Sequence, residues 1–281
     1  MTRRRWIADE FTDHRAWLLG ANAAHLGRVL RARVGQQFDI VCGEQLRRGT
    51  IVSVSSERVE FALGEMIDRP STPTKGALGT PTGTGERELV LLMAIYKFDR
   101  LEWVIEKCTE LGATRIVPVI AQRTDAHLAA AATKRVERWR RIAHEAAQQS
   151  RRLAPPQIDD PMKLKAALEL DSATTTPDSG TGTAADPGWP TTTSPASPRL
   201  ASWSETRLLL NENERSENFR EALAGAAGAV ALAVGPEGGW TEEELAEFDA
   251  AGWRSVTLGP TILRAETAAI AALAAAQAIL D

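Results

Sequence analysis

Two glycine-punctuated turns near the carboxyl terminus, Gly235-Pro236-Glu237-Gly238-Gly239-Trp240 and Leu258-Gly259-Pro260-Thr261-Ile262-Leu263-Arg264, have the composition of backbone that touches a ligand. Glycine permits positive φ and lets a bound group approach bare amides and carbonyls. Each turn follows a short apolar run and opens a helix. The first leaves Ala229–Val234 and enters Thr241-Glu242-Glu243-Glu244, where Thr241 and Glu244 have capping-box spacing. The second leaves Ser255–Leu258 and enters an Ala-rich helix with Glu266 in its first turn, suited to the positive helix end. A third run, Arg207–Leu210, ends on Leu210-Asn211-Glu212. In a parallel sheet, such carboxyl ends border the ligand crevice. The ligand that fits is flat and polar-edged. Arg264, between Leu263 and a helix start, has little core-building use and can donate to charge developing on a bound group. The first turn matches neither the dinucleotide nor the P-loop pattern, and Glu237 would repel a pyrophosphate. Either turn alone reads equally as a structural turn; together with Arg264 and Glu266 they point to a site.

The elements that must hold these turns begin near Glu88. Glu88–Ile95 reads as a buried strand, Leu101–Leu111 as a helix, Arg115–Ile120 as a strand and Thr133–Gln149 as a helix. Leu101, Val104, Ile105, Cys108 and Leu111 fall at helical spacing, and Gly112 ends that helix. With Arg207–Leu210 as strand and Glu217–Ala224 as helix, the alternation predicts an α/β layer with a largely parallel sheet. Residues 1–70 have another rhythm: Phe38–Cys42 and Thr50–Val54 are strand-like, and Ala24–Arg31 is a compact helix candidate with Leu26, Val29 and Leu30 on one face. A small β-barrel closes that many short strands. Residues 71–87 read as a Pro, Thr, Gly and Ser linker, and 172–204 as a disordered insertion too poor in apolar side chains to offset its ordering entropy. The remainder, 88–281, is the larger unit.

The net charge of −4 excludes a uniformly basic nucleic-acid binder, yet the charges are segregated. Lys134, Arg135, Arg138, Arg140 and Arg141 crowd one helix, with Arg123 before it and Arg151 and Arg152 after; Arg28, Arg31 and Arg33 form a second basic stretch. An acidic protein can present such a face to phosphates, although a solvated helix surface gives the same pattern. Trp139 on the basic helix suits a stacked base or the core. Cys42 and Cys108 offer neither a disulfide framework nor a CxxC pair, and His14, His25, His127 and His144 lack metal-ligand spacing, so no metal is expected. A reducing cytoplasm is the expected setting, with no signal peptide or membrane span.

The set Lys107-Cys108-Thr109-Glu110-Leu111-Gly112, then Pro118 with Arg123, then the two turns, resembles the RsmE family, the 16S ribosomal RNA (uracil-N3)-methyltransferases of the SPOUT class. His25-Leu26-Gly27-Arg28-Val29-Leu30-Arg31 is similar to part of that family's N-terminal PUA-like RNA-binding domain, so the resemblance spans nearly the whole chain. It implies a SPOUT-type parallel sheet with a C-terminal trefoil knot, S-adenosylmethionine as cofactor, 16S ribosomal RNA or the small ribosomal subunit as partner, and a homodimer. Carried across, it places cofactor contacts at Leu210, Asn211, Gly235, Pro236, Glu237, Gly238, Gly239, Leu258, Gly259, Ile262 and Leu263. Arg264, Arg123 and Glu266 are then the catalytic candidates, with Lys107 another cation near the reacting centre. Lys107, Arg28, Arg31, Arg138, Arg141 and Arg152 are the RNA-binding candidates. Where the family often has Glu-Gln-Ser-Gly-Arg, this chain has Gln148-Gln149-Ser150-Arg151-Arg152, which changes the loop residue at 151.

The implied chemistry moves a methyl group from a sulfonium to N3 of uracil, which must lose its proton and leaves negative charge on N3, O2 and O4. A preorganised guanidinium from Arg264 or Arg123 would stabilise that anion by about 3 kcal/mol. Glu266, Glu237 and Glu110 are the carboxylates available as a base, and each has an ordinary structural role: Glu266 as a helix cap, Glu110 in an (i, i+3) pair with Lys107. A SPOUT methyltransferase of transfer RNA and a non-catalytic RNA-binding assembly module remain alternatives.

Overall fold

The computed structural model describes residues 5–43, 45–67, 88–170, 206–214, 216–226 and 228–280. The expected linker at 71–87 and insertion at 172–204 lie outside them.

The first sheet is built from β1 (Arg5–Ile7), β2 (Glu10–Phe11), β3 (Arg15–Leu19), then, after helix α1 (Gly20–Ala24), β4 (Gln37–Cys42), β5 (Gln45–Val54) and β6 (Arg58–Met66). Its order is β1-β4-β5-β6-β3-β2, antiparallel except for β1 beside β4. Register shifts between β5 and β6 bend this sheet, and it curls into a half-barrel. Trp6, Leu18, Leu26, Ile40 and Phe61 fill its concave side. The expected helix over 24–31 is instead α1 followed by a π-turn, His25–Val29, closed by Leu30 N donating to His25 O at 3.0 Å. That wider turn shifts the helical phase. Leu26 is fully buried, but Val29, expected on the same face, is 65% exposed.

The second sheet carries the site. Its strands are β7 (Leu89–Ala94), β8 (Arg115–Ile120), β9 (Gln157–Ile158), β10 (Met162–Lys163), β11 (Thr206–Leu210), β12 (Val230–Val234) and β13 (Arg254–Val256). All pair in parallel, in the order β10-β8-β7-β12-β11-β13 with β9 also on β8. The expected boundaries at 115–120 are met to the residue, and those of the other predicted strands of this sheet within two residues. Both faces are covered, which is why β7 and β12 are apolar without alternation. On one face Leu89, Leu91 and Met93 meet α2 (Phe98–Glu110), α4 (Val136–Gln149), α6 (Phe219–Leu223) and α8 (Ala265–Leu280). On the other Val90, Leu92 and Ala94 meet α5 (Leu164–Glu169) and α7 (Glu242–Ala250). An additional helix, α3 (Ala126–Ala132), runs into α4 through a tight turn at Thr133–Arg135.

Helix α2 stops at Gly112, whose φ of +88° is open to glycine at no steric cost, and Ala113 N donates back to Cys108 O at 2.9 Å. Trp139 of α4 is fully buried, edge-on to Phe98 with ring centroids 5.9 Å apart, and so belongs to the core rather than to a base-stacking surface. Cys108 is buried in the same layer, and burial pushes its thiol up to about 12, far from a thiolate nucleophile.

Removing the indole in Trp139→Ala should cost about 3–5 kcal/mol in urea denaturation of the full chain, because the sheet and α2 cannot collapse onto the void. A loss under about 1 kcal/mol would mean the α2–α4 layer is not the rigid support described here.

Candidate functional site

Three strand ends of the parallel sheet converge on one cavity of about 520 Å3. Leu210 at the end of β11, Gly235 after β12 and Leu258 after β13 all line it, within the size range of small-molecule sites.

After β12 the chain turns through Pro236–Gly239, with Gly239 N donating to Pro236 O at 2.8 Å and Gly239 at φ +71°. A Cβ at Gly239 would meet Glu212 Oε1 at 3.2 Å, and one at Gly235 would meet the Trp240 indole nitrogen at 3.0 Å, so this loop is packed for bare backbone. Trp240 is buried against Phe248, ring centroids 4.9 Å apart, which anchors the end of the turn to α7. Thr241 then closes the expected capping box: its hydroxyl accepts from Glu244 N at 3.3 Å, and Glu244 Oε2 accepts from Thr241 N at 2.9 Å. The other oxygen of Glu244 accepts from Gln122 N at 2.7 Å, in the loop that follows β8. That loop is further tied by Thr124, whose hydroxyl donates to Ile95 O at 3.0 Å and accepts from Ala121 N at 3.1 Å. Arg123 is thereby aimed into the glycine turn, where it donates to Gly238 O and, at 3.4 Å, to Trp240 O.

On the facing side, Asn211 Oδ1 accepts from Asn213 N at 3.0 Å, turning the chain after β11. Thr257 Oγ1 accepts from Gly259 N at 3.2 Å and donates to Gly259 O at 2.9 Å, folding the loop that leads to Arg264. Gly259 is at φ +146°. Arg264 lines the cavity with its side chain 75% exposed, at the mouth.

Of the sequence-derived residues, the cavity wall includes Arg123, Leu210, Asn211, Gly235, Pro236, Glu237, Gly239, Leu258, Gly259, Ile262, Leu263 and Arg264. Gly238 stands behind the wall against Arg123. Glu266 is buried in the first turn of α8, its Oε1 4.0 Å from Arg264 Nη1. Lys107 is not brought to the cavity: it sits at the far end of α2 bonded to Glu106 at 2.7 Å and Glu110 at 2.9 Å, and these two bonds raise its pKa. Glu212 and Trp240, which end the segments Leu210-Asn211-Glu212 and Gly235–Trp240, line the cavity too, as do Lys97, Arg100, Asn213 and Thr257, which the sequence motifs do not single out. Lys97 and Arg100 lie just past the end of β7, a fourth strand end to which the same crevice rule applies. Arg100 bonds Glu237 at 2.6 Å and lies 3.6 Å from Glu266. Beneath this cluster Tyr96 is held as a neutral phenol, its pKa raised by burial first and by the Glu266 and Glu237 charges next.

The wall carries Lys97, Arg100, Arg123 and Arg264 against Glu212 and Glu237, an excess of positive charge suited to an anionic substrate. Among the described residues no three His, Cys, Asp or Glu side chains cluster as metal ligands.

A profile of the RNA methyltransferase domain matches residues 84–182 and 191–277. Over 261 residues the chain is 32% identical to ribosomal RNA small subunit methyltransferase E of Mycobacterium bovis, covering 91% of this chain and 83% of that one. The chain belongs to the ribosomal RNA small subunit methyltransferase E family. A Synechocystis member is 30% identical over 278 residues, with 94% of this chain and 73% of that one covered. The crystal structure of the Neisseria gonorrhoeae enzyme bound to S-adenosyl methionine superposes with a TM-score of 0.71, at 26% identity and 99% and 98% coverage.

Within this family member the other basic residues are spread over the π-turn, α4 and the segment after α4. Arg28 and Arg31 are exposed around the π-turn, Arg31 at φ +50°. Arg138 and Arg141 are exposed on α4, with Arg138 Nε 2.8 Å from Glu102 Oε1. Arg152 is half-buried and donates to Thr109 O at 2.9 Å and Ala113 O at 2.5 Å, bracing the end of α2. Arg151 occupies φ +60°, the left-handed region that glycine favours. No helix of the described residues is long and apolar enough to cross a membrane.

Glu244→Ala leaves the Gln122 and Thr241 amides without their acceptor and should destabilise the chain by about 2–3 kcal/mol. Amide exchange at Gln122 should accelerate in parallel; an unchanged exchange rate there would remove Glu244 as the tie that holds the Arg123 loop.

Proposed function

We propose that this chain methylates N3 of a uridine in 16S ribosomal RNA with S-adenosylmethionine as donor. The observation that carries the reading is the single cavity in which the ends of β11, β12 and β13 meet beside Arg123 and Arg264. Family membership and the donor bound in the Neisseria gonorrhoeae relative support it, and the small-subunit names of the relatives favour it over transfer RNA and over a non-catalytic module.

S-adenosylmethionine, when bound, supplies an electrophilic methyl group on a sulfonium. The chain's own residues fit it: Gly235–Gly239 offers backbone donors and acceptors with little side-chain bulk, Leu258–Leu263 adds backbone beside apolar side chains, and Leu210 and Val256 give an apolar floor. Arg264, exposed at the mouth, donates to a uracil carbonyl oxygen as the ring loses its N3 proton. Arg123 adds positive potential from within, while its bonds to Gly238 O and Trp240 O keep it from swinging. Two cations at this end lower the cost of the uracil anion, so solvent can take the proton. Glu237 and Glu266 are each engaged by Arg100, and Glu110 by Lys107, which suits them to placing cations rather than to abstracting the proton.

Residues 1–70 act as a PUA-like RNA-binding unit joined by 71–87 to a SPOUT methyltransferase domain, 88–281, with a C-terminal trefoil knot. Arg28 and Arg31 on the first unit and Arg138 and Arg141 on α4 hold the RNA backbone. The enzyme works as a homodimer in the cytoplasm. A half-buried flank of α8 carrying Ile270, Ala271 and Ala274 supplies an apolar face for a second copy.

In cells lacking the gene, mass mapping of 16S RNA should find one uridine without its N3 methyl group, restored by the wild-type chain; persistence of every such mark would refute the assignment. Arg264→Ala should bind S-adenosylmethionine within about threefold of wild type while losing about a hundredfold in kcat. Unchanged turnover would take Arg264 out of the chemistry.

A further inference from the structure

We infer that Arg100 is a positioning residue for the donor cavity, a clamp that fastens the Gly235–Gly239 turn to the first turn of α8 and so fixes the spacing of the two loops a bound donor must fill. The inference rests on the reading of this cavity as the S-adenosylmethionine site.

Arg100 projects from the first turn of α2 into the cavity wall with its side chain 33% exposed. Its Nη1 lies 2.6 Å from Glu237 Oε1 and 3.6 Å from Glu266 Oε1. The two carboxylates belong to different segments: Glu237 is in the glycine turn, and Glu266 is in the first turn of the last helix, directly after the loop carrying Ile262, Leu263 and Arg264. One guanidinium therefore joins three segments that the sequence keeps far apart.

Each end of the clamp has a physical reason to need it. The turn at 235–239 contains Gly235, Gly238 and Gly239, so its own backbone restrains it weakly. Arg123 holds it at the Gly238 carbonyl from the loop after β8, and Arg100 holds it at the Glu237 carboxylate from α2. Glu266 is buried to 10% side-chain exposure, and its Oε2 has no hydrogen-bond partner among the described residues. A carboxylate so placed depends on nearby positive charge. Without Arg100 the guanidinium left beside it among the described residues is that of Arg264, 4.0 Å away and 75% exposed, where solvent screens it. Glu266 would then turn toward water and carry the Arg264 loop with it.

A planar fork suits this task better than an ammonium, since it can meet two carboxylates without rotating. Lysine at position 100 should accordingly keep part of the effect and alanine none.

The test is isothermal titration of S-adenosylmethionine into the full chain and into Arg100→Ala, Arg100→Lys, Glu237→Gln and the Arg100→Ala/Glu237→Gln double variant, with thermal melting in the absence of ligand. Arg100→Ala should weaken binding about tenfold and Arg100→Lys about threefold, at melting midpoints close to wild type. The double variant should bind no more than about twofold worse than Arg100→Ala, because both changes cut one interaction. Wild-type affinity in Arg100→Ala, or single effects that multiply in the double variant, overturns the clamp. A wild-type chain that gives no binding heat overturns the reading of the cavity and the clamp with it. If Arg100→Ala unfolds, the same cycle run with Arg100→Lys and Glu237→Gln decides by the same criterion.

Discussion

The carboxylate of Glu244 is shared between two segments 122 residues apart, and the placement of the whole site follows from that sharing. One oxygen closes the cap of α7, which fixes where the glycine turn ends; the other holds the amide of Gln122, which fixes where Arg123 begins. Buried to 2% exposure, the group is cheap to keep only while both amides reach it. The turn and the arginine that grips it are therefore set by the same atom group, and neither can shift without the other.

Around that tie the charges are arranged in alternation. Arg123 bonds backbone carbonyls, Arg100 bonds the Glu237 carboxylate and lies near that of Glu266, and Arg264 stands at the mouth with its head in water. Arg123 and Arg100 thus build the wall, while Arg264 is left to meet what arrives. Arginine suits the first task through its rigid fork and the second through its permanent charge. The protein can be acidic as a whole and still hold a cationic pocket, because the acids nearest the pocket are paired inward.

Much of this architecture was legible in the residues. The capping box at Thr241 and Glu244, the stop at Gly112 and the continuous apolar runs of β7, β8 and β12 are local signals, and each stands where its local chemistry puts it. The turns at 235–239 and 258–264 could be placed together because strand ends of a parallel sheet share a side. What escaped was of two kinds. Helix α3 is mostly alanine and carries no period to read, and the π-turn at His25–Val29 changes the helical phase, so Val29 faces outward. Arg100 escaped for a different reason: its partner is 137 residues away, and a pairing of that separation leaves no mark in the spacing of either segment. Lys107 attracted notice by its motif, but Glu106 and Glu110 beside it already satisfy its charge.

The parallel pairing of β7 with β12, Leu89 beside Val230 through Met93 beside Val234, sets an order of events in biosynthesis. The middle of the sheet stays open until the ribosome has delivered most of the polypeptide, and pairings of such separation close slowly because loop entropy must be overcome first. The early strands and α2 then wait with an unpaired apolar edge, which is the form in which a nascent chain is most exposed to aggregation. Since every wall of the pocket comes from, or leans on, the late-arriving strands, small-molecule binding can reward only the finished fold and cannot guide its assembly.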